Sequence, residues 1–94
     1  MIKNFKCGES EKIFLMHFSC KFPVDIQRRA RVKLLMLHAA MKVGDLSKPP
    51  SNNLEKLRGN RKGQMSIRVN DQWRICFLWE ENHAYQVEIV DYHH

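Results

Sequence analysis

Residues 65–79 read Met65-Ser66-Ile67-Arg68-Val69-Asn70-Asp71-Gln72-Trp73-Arg74-Ile75-Cys76-Phe77-Leu78-Trp79, two alternating apolar and polar runs joined by a polar break. Period two marks a strand whose sides meet different surroundings, so the stretch predicts an antiparallel hairpin turning at Asn70-Asp71-Gln72. Its apolar rows, Met65, Ile67 and Val69 in one run and Trp73, Ile75 and Phe77 in the other, must share one face of the sheet. A three-residue loop achieves this by setting Val69 against Trp73, and it then sets Ile67 against Ile75 and Arg68 against Arg74. Two arginines are therefore expected side by side on the other face.

Downstream, Tyr85, Val87 and Ile89 alternate with Gln86 and Glu88 as a third strand. A turn over 80–82 with Trp79 opposite His83 would set Ile75 against Val87 and Arg74 against Glu88. Upstream, residues 2–6 form a candidate strand with Ile2 on one side and Phe5 on the other, closed by Gly8. Ser10 is placed to cap a short helix reaching about His17, with Ile13, Phe14 and Met16 as its apolar side. Phe22-Pro23 opens a longer helix in which Ile26, Ala30, Leu34, Leu37 and Met41 draw one buried stripe. Gly44 stands where a left-handed cap would end it. Pro49-Pro50 and Ser51-Asn52-Asn53 make residues 45–53 a loop. The fold class expected is α+β, an N-terminal strand and two helices packed on a mainly antiparallel sheet, with residues 1–94 as a single domain.

Ninety-four residues, 44% of them hydrophobic, suffice for one buried core. No apolar run approaches the roughly 18 residues of a membrane span. The N-terminus lacks the apolar stretch of a secretory signal, so a cytoplasmic location with no membrane partner is expected. Three cysteines without CxxC spacing fit reduced thiols better than a disulfide framework. None of the five histidines has a Cys or His partner at zinc-ligand spacing, so neither a metal nor another cofactor is expected.

The charge is more telling. Sixteen Lys and Arg against ten Asp and Glu leave +6, which favours a polyanionic partner. Lys56, Arg58, Arg61 and Lys62 crowd around Gly59 and Gly63, just ahead of the strand that carries Arg68. Glycines let backbone N–H groups approach an anion, and guanidinium groups grip phosphate oxygens in pairs. No Gly-Lys-Ser or Gly-Lys-Thr follows, so the loop is not a Walker loop. The last strand delivers Asp91-Tyr92-His93 beside the arginines. An endonuclease that uses the RNA 2′-hydroxyl as nucleophile needs a proton acceptor, positive charge for the phosphorane, and a donor to the departing 5′-oxygen. His93 can exchange protons at cell pH, as the imidazole side chain does in general; Tyr92 can orient the phosphate, stack on a base or exchange a proton; Asp91 can hold its neighbours. A plainer reading stands beside this one, in which Glu88 holds Arg74, Arg68 points into water and the last residues are a frayed end.

The run Asn53-Leu54-Glu55-Lys56-Leu57-Arg58-Gly59-Asn60-Arg61-Lys62-Gly63-Gln64, continued through the hairpin to Phe77, closely resembles the core of HigB-type toxins of the RelE superfamily. So do the ending Val87-Glu88-Ile89-Val90-Asp91-Tyr92-His93, the start Met1-Ile2-Lys3-Asn4-Phe5 and the Lys48-Pro49-Pro50 loop. The resemblance implies the toxin of a type II toxin–antitoxin system, a metal-independent endoribonuclease that cuts mRNA in the ribosomal A site. Its implied partners are a HigA-type helix-turn-helix antitoxin, the ribosome with its mRNA, and operator DNA reached only through the antitoxin. By the same resemblance, catalytic or RNA-contacting roles fall on Arg58, Arg74, Asp91, Tyr92 and His93. Lys56, Arg61, Lys62 and Arg68 complete the RNA-binding set. The sequence departs from the family at Glu55, where some members carry a histidine. Glu55 is either the general base or a surface residue at a strand edge. Met65 stands where an aromatic residue is common. A competing reading is a weakly active or inactive homologue serving mainly as antitoxin partner in operon repression; another is a non-specific RNA-binding domain. Neither His93→Ala nor Arg74→Ala is expected to unfold the chain, since neither side chain belongs to the apolar rows.

Overall fold

In a computed structural model, which describes residues 1–92, two helices cover one face of a four-stranded antiparallel sheet. The helices are α1 (Gly8–Phe14) and α2 (Val24–Ala39). The strands β1 (Glu55–Lys56), β2 (Met65–Arg68), β3 (Trp73–Glu80) and β4 (His83–Asp91) lie in that spatial order. The N-terminal segment joins the free edge of β4 through isolated parallel bridges, Ile2 with Ala84 and Phe5 with Val87. It is not the continuous alternating strand expected. Three-residue spacing brings both Ile2 and Phe5 onto the core.

The β2–β3 hairpin has the register deduced from its apolar rows: Ile67 pairs with Ile75 and Arg68 with Arg74. Asn70 organises the loop, its side-chain oxygen accepting the N–H groups of Gln72 and Trp73. The β3–β4 hairpin departs from expectation twice. Its turn is shorter, pairing Glu80 with His83, because Glu81 and Asn82 both adopt the positive φ of a two-residue hairpin turn. A bulge then inserts one residue into β4 around Gln86, itself at φ 49°, with its N–H held by the Asn4 side chain. Beyond the bulge Ile75 pairs with Ile89, Cys76 with Glu88 and Arg74 with Val90. The expected pairings of Ile75 with Val87 and of Arg74 with Glu88 are thus corrected.

Burial explains the helices. Ile26, Ala30, Leu34 and Leu37 of α2 meet Ile67, Ile75, Phe77, Val87 and Ile89 in one core. Phe22 packs edge-on against Trp73, with ring centroids 5.6 Å apart. The helix ends at Ala39, before Met41, which is exposed. The Asp45 carboxylate accepts the N–H groups of Met41 and Lys42 and draws the chain out of the helix, so Gly44 falls within a 3-10 turn, Val43–Ser47, and caps nothing. Ser10 is no cap either. It lies buried inside α1 and its hydroxyl accepts the N–H of Ile89, tying the helix to β4. Met16 ends α1 in the left-handed region at φ 65° with its side chain in solvent, not on the apolar side. The loop at 45–53 holds a second 3-10 turn, Pro50–Asn52, whose Asn52 is fully buried.

Candidate RNA-cleaving site

Alternation along the strands puts Ser66, Arg68, Arg74, Cys76, Glu88 and Val90 on the face away from the helices. The two arginines expected side by side are so placed. Arg74 is 7% exposed, and its Nε donates to Ser66 Oγ at 2.8 Å. Its Nη2 donates to the Asn53 carbonyl at 2.6 Å and lies 3.1 Å from Glu55 Oε1. The Tyr92 ring stands 5.8 Å from the guanidinium carbon. Among the described residues, hydrogen bonding of Arg74 engages Nε and Nη2, and Nη1 donates to none of them. The partners of Arg74 differ from the one anticipated: Glu55, brought across by the pairing of β1 with Ser66 of β2, takes the place of Glu88.

Glu88 serves other cations. Its Oε2 lies 3.1 Å from Arg61 Nη1 and 3.5 Å from Lys6 Nζ. Arg61 also donates to Gln64 Oε1 at 3.0 Å, which fixes the loop that carries it. Cys76 is fully buried on this face, and burial pushes its thiol above the ordinary range despite Arg61 nearby, so it stays a protonated, unreactive group. Arg68 pairs with the exposed Asp71 at the hairpin end.

Not every expected residue joins this group. Lys56, Arg58 and Lys62 line a separate pocket of about 540 Å³ with Leu57, Met65 and Trp79. Lys56 pairs with Met65 and so takes the side opposite Glu55, which pairs with Ser66. The basic loop therefore straddles the sheet edge, with Arg61 on the Arg74 side and the other three cations around the pocket. Asp91 pairs with Trp73, on the helix-covered side, and accepts Gln72 Nε2 at 3.1 Å. Tyr92 returns to the Arg74 side. The expected role of His93 falls outside the described residues. Sequence reasoning missed Ser66 and the Asn53 carbonyl as holders of Arg74. A serine in the polar row beside an arginine was the available signal for the first, but nothing in the sequence marks a backbone carbonyl.

Gly63 adopts φ 95° with open space where a Cβ would project, so only the backbone resists substitution there. Gly63→Ala should lower stability by about 1–2 kcal/mol through strain alone. Urea denaturation measures it, and an unchanged midpoint would show that the loop relaxes freely.

Among the described residues no three His, Cys, Asp or Glu side chains gather as a metal site, and no helix is long and apolar enough to cross a membrane. Residues 5–93 match a family described as the RelE-like toxin HigB of type II toxin–antitoxin systems. The chain is 31% identical over 93 residues to Endoribonuclease HigB of Proteus vulgaris, covering 99% of this chain and the whole of that protein. It is 45% identical over 62 residues to Toxin HigB-1 of Vibrio cholerae, a match spanning 66% of this chain and 65% of that protein. An uncharacterized protein of Haemophilus influenzae is 37% identical over 62 residues, across 61% of its length.

Proposed function

The chain belongs to the HigB family of RelE-like toxins from type II toxin–antitoxin systems, and on that premise we propose that it is an endoribonuclease that cleaves mRNA in the ribosomal A site. The observation that carries the reading is Arg74: a guanidinium locked by Ser66, Asn53 and Glu55, faced by Tyr92, with Nη1 bonded to none of the described residues. A donor fixed before the reaction stabilises developing charge without reorganising at the moment of attack.

In the proposed reaction the 2′-oxygen of the message attacks the adjacent phosphorus and gives up its proton to a base. The bond to the 5′-oxygen breaks, and that oxygen leaves with a proton, giving a 2′,3′-cyclic phosphate and a 5′-hydroxyl. Arg74 stabilises the phosphorane, Tyr92 orients the phosphate, and Asp91 steadies the chain end through Gln72. Proton transfer is assigned to His93, outside the described residues. Lys56, Arg58, Lys62, Arg61 and Arg68 hold the message on either side of the sheet edge. The toxin's partner is an antitoxin, proposed to be a HigA-type helix-turn-helix protein that also carries the pair to operator DNA, with the toxin acting in the cytoplasm.

The deciding experiment incubates the purified chain with programmed ribosomes and maps mRNA ends. Cleavage within the A-site codon is expected. Intact message, under conditions where a related toxin cuts, overturns the reading and favours a partner that acts only in repression; cutting of free RNA without ribosomes overturns ribosome dependence.

Glu55 touches Arg74 and is 51% exposed at its side chain, which supports a positioning role over that of general base. Glu55→Gln keeps an oxygen for Arg74 Nη2 and should lower the cleavage rate less than about 10-fold, whereas loss of a general base costs about 10²–10⁴-fold. The pH–rate profile separates the two: its acid limb, where a general base gains its proton, should be unmoved, and disappearance of that limb in the variant would make Glu55 the base.

A further inference from the structure

The helix α2 has two apolar sides. Ile26, Ala30, Leu34 and Leu37 enter the core, while Val24, Arg28, Arg31, Val32 and Leu35 recur at helical spacing on the opposite side, where all three of the apolar residues are exposed. A helix that meets only water on its outer side has no need of that second stripe. Beside it the α1–α2 connection projects Met16 and Phe18, 73% and 62% exposed. Together these elements form a groove of about 480 Å³, with Ile13 contributing to its wall.

The chemistry of the groove selects its occupant. Arg28 and Arg31 line it and no acidic residue does. Arg31 Nε is buried without a hydrogen-bond partner among the described residues, a state that native structures seldom leave uncompensated. A second copy meeting this surface across a two-fold axis would set arginines against arginines. RNA suits the arginines but leaves Met16, Phe18 and Val32 unmatched. An amphipathic helix with carboxylates flanking an apolar stripe satisfies both needs.

We propose that this groove is the docking surface for an acidic amphipathic segment of the antitoxin. The inference rests on the toxin–antitoxin reading. It places the contact on the helix layer, with the sheet between it and Arg74.

Two substitutions test it without threatening the fold. Glu is a better helix former than Val, so Val32→Glu should leave α2 intact. Met16→Gly removes the projecting side chain and suits the left-handed backbone there. In titration calorimetry against the purified antitoxin, the double variant should bind about 100-fold more weakly. Its thermal midpoint should not fall below that of the wild type, since glycine suits the left-handed backbone at Met16, and its cleavage of message on ribosomes should match the wild type. Affinity within about 3-fold of wild type overturns the proposal. So does a solution dimer of the chain alone that the double variant dissolves while antitoxin affinity stays unchanged. If the wild type fails to cut message, the cleavage reading falls, and the calorimetric comparison still decides this one.

Discussion

Arg74→Ala is expected to lower mRNA cleavage about 10³-fold, the loss typical of removing a donor aimed at developing charge. It should also destabilise the domain by about 3 kcal/mol, since truncation strands Ser66 Oγ and the Asn53 carbonyl. Arg74→Ala is still expected to leave the chain folded, but at a cost in stability, because the residue is 7% exposed. Belonging to the polar row is not the same as being exposed. Arg74→Lys separates the roles: it keeps the charge but cannot bond Ser66, Asn53 and a phosphate oxygen at once. Its stability should recover in part, while its cleavage stays at least about 10²-fold down. Single-turnover cleavage on ribosomes and urea denaturation provide the two readouts. A Lys variant that cuts at the wild-type rate would mean that only net charge matters at this position.

Asn52→Ala is the largest effect expected away from the site, a loss of about 3 kcal/mol. Lys33 lies in the buried stripe of α2, and its ammonium donates to Asn52 Oδ1. The Asn52 amide donates in turn to the Leu46 carbonyl at 3.0 Å. Removing the side chain leaves an ammonium and a carbonyl buried together without their partners. Lys33→Met strands only Asn52 Oδ1 and removes a buried charge, so it should cost less than Asn52→Ala, and it should rescue most of the loss when combined with Asn52→Ala. Equal losses for Asn52→Ala with and without Lys33→Met would remove the ammonium from the explanation.

The same lysine makes a pH prediction. Burial, then the charges of Arg29 and Arg68, hold its pKa below the ordinary lysine range in the folded chain. The folded state therefore binds its proton less tightly than the unfolded chain does. The penalty is fully present below the folded pKa and is relieved as pH rises from there toward the unfolded value. In Lys33→Met that alkaline gain should vanish.

Much of the fold could be read from period and composition. Two apolar rows forced the register of the first hairpin, because a shift by one residue would have put Ile67 or Ile75 into water. The second hairpin escaped the same logic, since Glu81-Asn82 carries no glycine to announce a two-residue turn and the bulge at Gln86 has no compositional mark. The end of α2 was misplaced because Met41 fits the helical period, whereas a carboxylate four residues on claims its N–H. At the site, the arginine pair and the basic loop were legible as residue types. The division of that loop across the sheet edge was not, because β1 is two residues long and its facing depends on pairing with β2. Glu55 was legible as a base or a strand-edge surface residue, and its contact with Arg74 was hidden for the same reason.

The extra residue near Gln86 acts as a phase shifter for everything after it. With the short turn alone, the chain would run half a period out of step: Val87 and Ile89 would leave the core and the closing residues would trade sides. One inserted residue restores step, so Ile89 lands inside and Tyr92 comes round beside Arg74. Small insertions and deletions in β4 downstream of this point should thus be far less forgivable than point changes, because each would turn the terminal residues over as a block.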